Sequence, residues 1–306
     1  MTPSQRAHDA DRSLDRPSPS PRVSLRRRIV PWLAVAGAIL LLQLTAIMDR
    51  LFFLPSREPF VTPPGVEDVS FTTAAGFKLH GWFVPARGAS AQHPAPAVLH
   101  VHGNAGNVSF HTQFDFLAEH GISVLTFDYR GFGRSQRGPV SRAGYLDDAR
   151  AAWDYLLSRP DVDPTRCAII GSSIGATFAS ELAATTREAT GLALASPFAS
   201  WRRIAHTHVP LVGPLLVRSG LDPEDSVRRL GRRPLLIVHG ELDDIVPIAH
   251  GRRVLDAATA SGVPATMLRV PAAGHNDLMD HDEAAAGLAA FLSSLPGPSP
   301  SPAPGS

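Results

Sequence analysis

Cys167-Ala168-Ile169-Ile170-Gly171-Ser172-Ser173-Ile174-Gly175 reads as a buried strand that breaks into a sharp turn and opens a helix. In such an elbow the central serine sits at a strained backbone position, its hydroxyl held above the end of the sheet. Glycines two before and two after it are needed because a Cβ there would block the close approach of strand and helix. The G-x-S-x-G pattern alone decides little: at average Gly and Ser usage it arises by chance in about one chain of this size in ten. Its weight depends on whether the partners of a nucleophilic serine follow, in order, at the ends of other strands.

From Val66 onward the chain alternates strands and helices. Val69 to Thr72 and Phe77 to Val84 read as an antiparallel pair around Ala75-Gly76. Six short apolar runs suit buried parallel strands: 95–101, 123–129, 166–170, 191–196, 234–239 and 265–270. Helical patterns fall between them at 107–120, 141–159, 173–187, 249–261 and 281–294. Repeated βα units predict an α/β class fold, one mostly parallel, doubly wound sheet with helices on both faces.

Three loops at strand ends carry chemistry. The first, His102-Gly103-Asn104-Ala105-Gly106-Asn107, is a Gly-rich turn whose amides can hold an oxyanion. The N–H of Asn104 is its natural donor, and the N–H of Ile174, following the serine, is the second. A phosphate loop is excluded, since no G-x-G-x-x-G occurs and Lys78 is the only lysine. The second loop, His239-Gly240-Glu241-Leu242-Asp243-Asp244, offers a carboxylate to fix a catalytic imidazole. Asp243 is favoured there, with Asp244 facing solvent or capping the next helix. The third, Pro271 to Asp277, holds His275 in reach of Ser173, while Asp277 suits a helix N-terminus. The order Ser173, Asp243, His275 is the nucleophile–acid–base order of this architecture. Asp128-Tyr129-Arg130-Gly131-Phe132-Gly133-Arg134-Ser135 reads as a structural turn beneath the site.

Composition removes other classes. Among 306 residues the net charge of +1 divides into +4 over residues 1–28 and −3 over the remainder, which offers no nucleic-acid surface. A single cysteine, Cys167, allows no disulfide framework or thiolate cluster within one chain and reads as a small buried apolar residue. His206 and His208 lack a third ligand, so no metal is expected.

Residues 1–28 and 296–306 are Pro- and Ser-rich and expected to be disordered. Residues 29–48 form an apolar stretch of 20 residues, which as a helix spans roughly 30 Å. Arg26-Arg27-Arg28 before it predict a single-pass anchor with a cytoplasmic N-terminus and an extracytoplasmic domain. A cleaved signal peptide is the competing reading, weakened by the length and by the poor site Leu44-Thr45-Ala46. A linker at 49–65 then leads to the folded domain, 66–295, with an insertion at about 198–232.

Taken together, Phe52-Phe53-Leu54-Pro55-Ser56-Arg57, the HGNAGN turn, DYRGFGRS, GSSIG, the Asp243 loop and Gly274-His275-Asn276 resemble the α/β-hydrolase superfamily. The nearest likeness is to membrane-anchored serine hydrolases called serine aminopeptidase-like or abhydrolase-domain proteins. The resemblance spans about residues 50–295. It implies the α/β-hydrolase fold with a short helical lid over the site, and Ser173 as nucleophile, Asp243 as acid and His275 as base. Asn104 and Ile174 become the oxyanion hole, with no cofactor and no metal. The expected substrate is a small-molecule or lipid-like ester. A peptidase or amidase, and a non-enzymatic binding module on the same fold, are the alternatives.

Overall fold

The computed structural model of the chain describes residues 52–297 together with Val30, Leu33, Val35 and Gly37, all four helical. The rest of the expected anchor at 29–48, the 1–28 tail and residues 298–306 lie outside the described residues. Among the described residues, no helix is long and apolar enough to cross a membrane. The chain divides into two units, Met1–Gln43 and Leu44–Ser306, and the architecture below belongs to the second.

Eight strands form one sheet in the order β1-β2-β4-β3-β5-β6-β7-β8. They are β1 (Glu67–Thr72), β2 (Lys78–Val84), β3 (Ala95–Val101), β4 (Ser123–Asp128), β5 (Val162–Ser172), β6 (Ala189–Ala195), β7 (Leu235–Gly240) and β8 (Ala265–Val270). Strand β2 runs antiparallel to β1 and β4, and all other pairs are parallel. The chain leaves β3 for β4 on one side and returns to β5 on the other. That reversal opens a crevice beyond the carboxyl ends of β3 and β5, the place where ligands bind in open α/β sheets.

The continuous apolar runs are explained by burial on both faces. Leu99, Ile169, Leu192, Leu194, Leu235 and Ile237 point into one core, and their neighbours Val98, Ile170, Ala193, Leu236 and Val238 into the other. Helices α1 (Arg142–Ser158), α2 (Gly175–Thr185) and α6 (Ala249–Thr259) cover the first face. Helix α7 (Asp282–Ser293) covers the second, with the 3-10 segment Asp115–His120. Cys167 lies in mid-strand with no exposed surface.

Two expectations are corrected by this packing. The helix expected over 107–120 is two 3-10 turns, Val108–Phe110 and Asp115–His120. The amides reach three residues back, Phe110 N to Asn107 O and His111 N to Val108 O, while the Asn107 side chain and Asp128 hold the first turn by its free Ser109 and Val108 amides. Residues 52–58 of the expected linker lie against the domain, with Phe53 only 4% exposed among Tyr145, Phe178 and Trp201. Burying that ring contributes about 2 kcal/mol.

The insertion at 198–232 folds into α3 (Trp201–His208), α4 (Gly213–Leu216), α5 (Pro223–Ser226) and the 3-10 turn Val227–Arg229. None of its residues lines the crevice that holds Ser173. Trp201, Val217, Val227 and Leu230 turn inward to the first core, holding the insertion down beside the site.

Candidate active site

Ser173 stands between β5 and α2 with φ +51, a left-handed conformation that non-glycine residues adopt at a cost of about 1–3 kcal/mol. Its N–H donates to Ala195 O at 2.9 Å and its carbonyl accepts from Ala176 N at 3.0 Å, which hold the turn. The flanking glycines are sterically required. A Cβ on Gly171 would lie 2.5 Å from Ala179 Cβ, and one on Gly175 only 2.1 Å from Val101 O and 2.4 Å from His102 O. Gly175→Ala is therefore expected to cost more than about 4 kcal/mol, read as a loss of folded protein in urea titration.

The structure brings the three distant side chains together. His275 Nε2 is 3.0 Å from Ser173 Oγ, and His275 Nδ1 is 2.8 Å from Asp243 Oδ2. A carboxylate only accepts, so Nδ1 carries the proton and Nε2 is left to accept from the serine hydroxyl. Burial alone would raise the Asp243 carboxyl, but hydrogen bonds from His239, His275 and the Val246 N–H outweigh it and hold the group well below the usual carboxylate range. Its other oxygen accepts from Ile245 N at 3.1 Å and Val246 N at 2.7 Å. Asp244 is exposed, as expected.

Two supporting residues escaped the sequence reading. His239, fully buried at the end of β7, donates from Nε2 to Val246 O at 2.7 Å and stands 3.4 Å from Asp243 Oδ2. The signal was there: a histidine at a strand end, four residues before the acid. Asp277, expected as a helix-terminus charge, accepts instead from Gly274 N at 2.7 Å and closes the loop that presents His275.

The turn Gly103 to Asn107 lies directly over the nucleophile, and a Cβ on Gly103 would be 3.6 Å from Ser173 Cβ. Among the described residues the amides of Asn104 and Ile174 donate to no backbone carbonyl. His102 donates from Nδ1 to Gly103 O at 2.8 Å, which fixes one side of the peptide whose other side is the Asn104 N–H. The His102 and His111 rings stack at 4.3 Å, and burial drives His100, His102 and His111 all downward, so this wall is neutral. The 128–135 segment stays behind it. Asp128 accepts from Val108 N and Arg134 N, and Arg130 makes a buried two-pronged pair with Asp148.

Ser173 and His275 open into a cavity of about 840 Å³. Phe110, Phe114, Ile245, Leu278 and Met279 give it an apolar side, and Glu58 and Asp280 stand at its exposed rim. No described residue of 198–232 lines it. The insertion touches it indirectly, where His208 Nε2 donates to Ile245 O at 2.9 Å. His206 is exposed.

The insertion is pinned at its base by His250 on α6. Ala199 N donates to its Nδ1 at 3.2 Å, while its Nε2 is 3.0 Å from Thr207 Oγ1. Burial lowers this ring to about 4, helped by repulsion from His239 and the nearby arginines. Unfolded, the ring takes its proton near pH 6.5. Between those values the unfolded chain binds the extra proton, so stability is full above pH 6.5 and is lost as pH falls towards 4. The thermal midpoint of His250→Gln is expected to fall less steeply over that interval than that of the unsubstituted chain.

The family model described as serine aminopeptidase, S33 matches residues 92–230, which include the Gly103–Asn107 turn and the serine elbow. The uncharacterized protein YfhR of Escherichia coli (strain K12) is 34% identical over 247 residues, 79% of this chain and 84% of that protein. The uncharacterized protein Rv2307c of Mycobacterium tuberculosis (strain ATCC 25618 / H37Rv) is 37% identical over 268 residues, 83% of this chain and 91% of that one. Among solved structures, the Pyrococcus furiosus esterase Pf2001 matches with a TM-score of 0.64 at 20% identity, covering 79% of this chain and 99% of that chain, a likeness of fold.

Proposed function

The chain belongs to the α/β-hydrolase superfamily, in a family with YfhR and Rv2307c, and from that membership we propose that it is a serine hydrolase cleaving carboxylic esters or thioesters of lipid-like or acylated molecules near a membrane. The observation that carries the proposal is the hydrogen-bonded line from Ser173 Oγ through His275 to Asp243 at the floor of a cavity.

Ser173 Oγ attacks the ester carbonyl carbon while His275 Nε2 takes its proton. The carbonyl electron pair moves to oxygen, and the amides of Asn104 and Ile174 hold that charge, each contributing about 3 kcal/mol to the transition state. As the pair returns, the bond to the leaving oxygen or sulfur breaks and His275 gives it the proton. Water then repeats the sequence against the acyl-serine, releasing the acid and restoring Ser173. Asp243 stays ionised throughout and stabilises the imidazolium.

The apolar side of the cavity supports an acyl chain as the bound group. Proximity to a bilayer is supported by the apolar residues 29–48, which end four residues before Phe52. A second reading, an aminopeptidase or amidase, is favoured by Glu58 and Asp280 at the rim, where two carboxylates suit an α-ammonium group.

The test is a panel run on the full chain in nanodiscs: p-nitrophenyl esters of two to twelve carbons, matching thioesters and aminoacyl p-nitroanilides. Ester or thioester turnover at least 100-fold above anilide turnover is expected. Turnover of anilides alone would establish the second reading instead.

A further inference from the structure

The segment that enters the domain, Phe52 to Glu58, is stitched to the Gly103–Asn107 turn along its whole length. The Asn104 side chain spends both its polar ends there: Nδ2 donates to Phe52 O, and Oδ1 accepts from Leu54 N at 3.0 Å. Pro55 bridges Gly106 in parallel fashion, and Ser56 N donates to Gly106 O at 3.1 Å. Asn107 Nδ2 donates to Glu58 O at 3.2 Å, and Gly133 N donates to Ser56 O at 2.9 Å. The segment is thus tied to the turn by one isolated bridge and by side-chain hydrogen bonds from Asn104 and Asn107.

The turn needs such support. Ala105 and Gly106 are both left-handed, at φ +64 and +73, and the alanine carries a cost of about 1 kcal/mol for that conformation. No regular element contains the turn. Its position is fixed on one side by His102 gripping Gly103 O and on the other by the entering segment gripping Asn104. The entering segment is anchored in turn by Phe53 in the core and by Phe52, whose ring meets Trp201 at 5.6 Å. Ser56 and Glu58 also form part of the cavity wall.

We propose that the side chain of Asn104, bound to the backbone of Phe52 and Leu54, is a positioning clamp that aims the Asn104 N–H at the oxyanion, so that the segment leading from the N-terminal apolar stretch completes the catalytic machinery. This rests on the serine-hydrolase reading of the site. An amide displaced by a few tenths of an ångström loses hydrogen-bond energy chiefly to the transition-state oxygen, because the ground-state carbonyl is less charged. The signature of the clamp is a fall in kcat at nearly constant KM.

Two full-chain variants test it. Asn104→Ala keeps the backbone N–H and removes the clamp. Leu54→Pro removes one donor to the clamp at a residue that is 58% exposed. Each is expected to lose 10- to 100-fold both in kcat on p-nitrophenyl butyrate and in the rate of fluorophosphonate labelling, with KM within threefold. The double variant is expected to lose little more than the worse single variant, since both cut the same connection. Single variants within twofold of the unsubstituted rates, or losses that multiply in the double variant, would overturn the clamp while leaving the hydrolase reading intact. An unsubstituted chain that never labels would sink that reading and the clamp with it.

Discussion

Ser173→Ala is expected to lower kcat by about 10⁴- to 10⁶-fold and to abolish covalent labelling by a fluorophosphonate. The substitution removes one oxygen and leaves the elbow intact, because the φ of +51 is sustained by hydrogen bonds of the residue 173 backbone. An internal control makes the result decisive. Ser172 also lines the cavity, and its Oγ lies 3.0 Å from an imidazole, His100 Nε2. That pair lacks an acid: His100 Nδ1 meets Thr126 Oγ1 at 3.2 Å, and the ring is fully buried. Ser172→Ala should therefore label and turn over within a few-fold of the unsubstituted chain. Labelling that survives Ser173→Ala and vanishes with Ser172→Ala would transfer the nucleophile to the neighbouring position.

Asp243→Asn is expected to cost about 10⁴-fold in kcat with KM little changed, through the tautomer of one ring. Ile245 N and Val246 N donate to one oxygen of Asp243, so the asparagine must place its carbonyl there. Its NH₂ then faces His275 Nδ1, which has to become an acceptor. The ring proton moves to Nε2 and points at Ser173 Oγ, where a base is required. Folding should survive, because both amides keep their acceptor; circular dichroism and stopped-flow acylation separate the two effects. Equal loss of fold and rate would show Asp243 to be structural instead.

The central parallel strands were legible because burial on both faces leaves no polar alternation, so that β3, β6, β7 and the Cys167–Ile170 half of β5 appear as largely apolar runs. Ser173, Asp243 and His275 were legible because each sits just beyond such a run, and the carboxyl ends of parallel strands converge on one crevice. What failed to show was whatever depended on hydrogen bonds between residues far apart in the chain. Asn104 grips residues about fifty positions earlier, so Phe52 to Glu58 looked like a linker. The 3-10 turns between β3 and β4 depend on a carboxylate from β4, Asp128, meeting Val108. Periodicity reports the face a residue turns inward and not where a helix docks: in the insertion at 198–232, Trp201, Val217, Val227 and Leu230 face the first core while Val209, Leu211, Val212 and Leu215 stay exposed.

Cys167 sits in the middle of β5, and burial pushes its thiol up to about 12. At neutral pH almost no thiolate forms, so neither oxidant nor maleimide finds a nucleophile there. The fold consequently owes nothing to the redox state of its surroundings and would be the same in a reducing or an oxidising compartment. A cysteine placed anywhere on the surface would be the sole reactive sulfur, making the natural chain a ready background for attaching a single spectroscopic reporter.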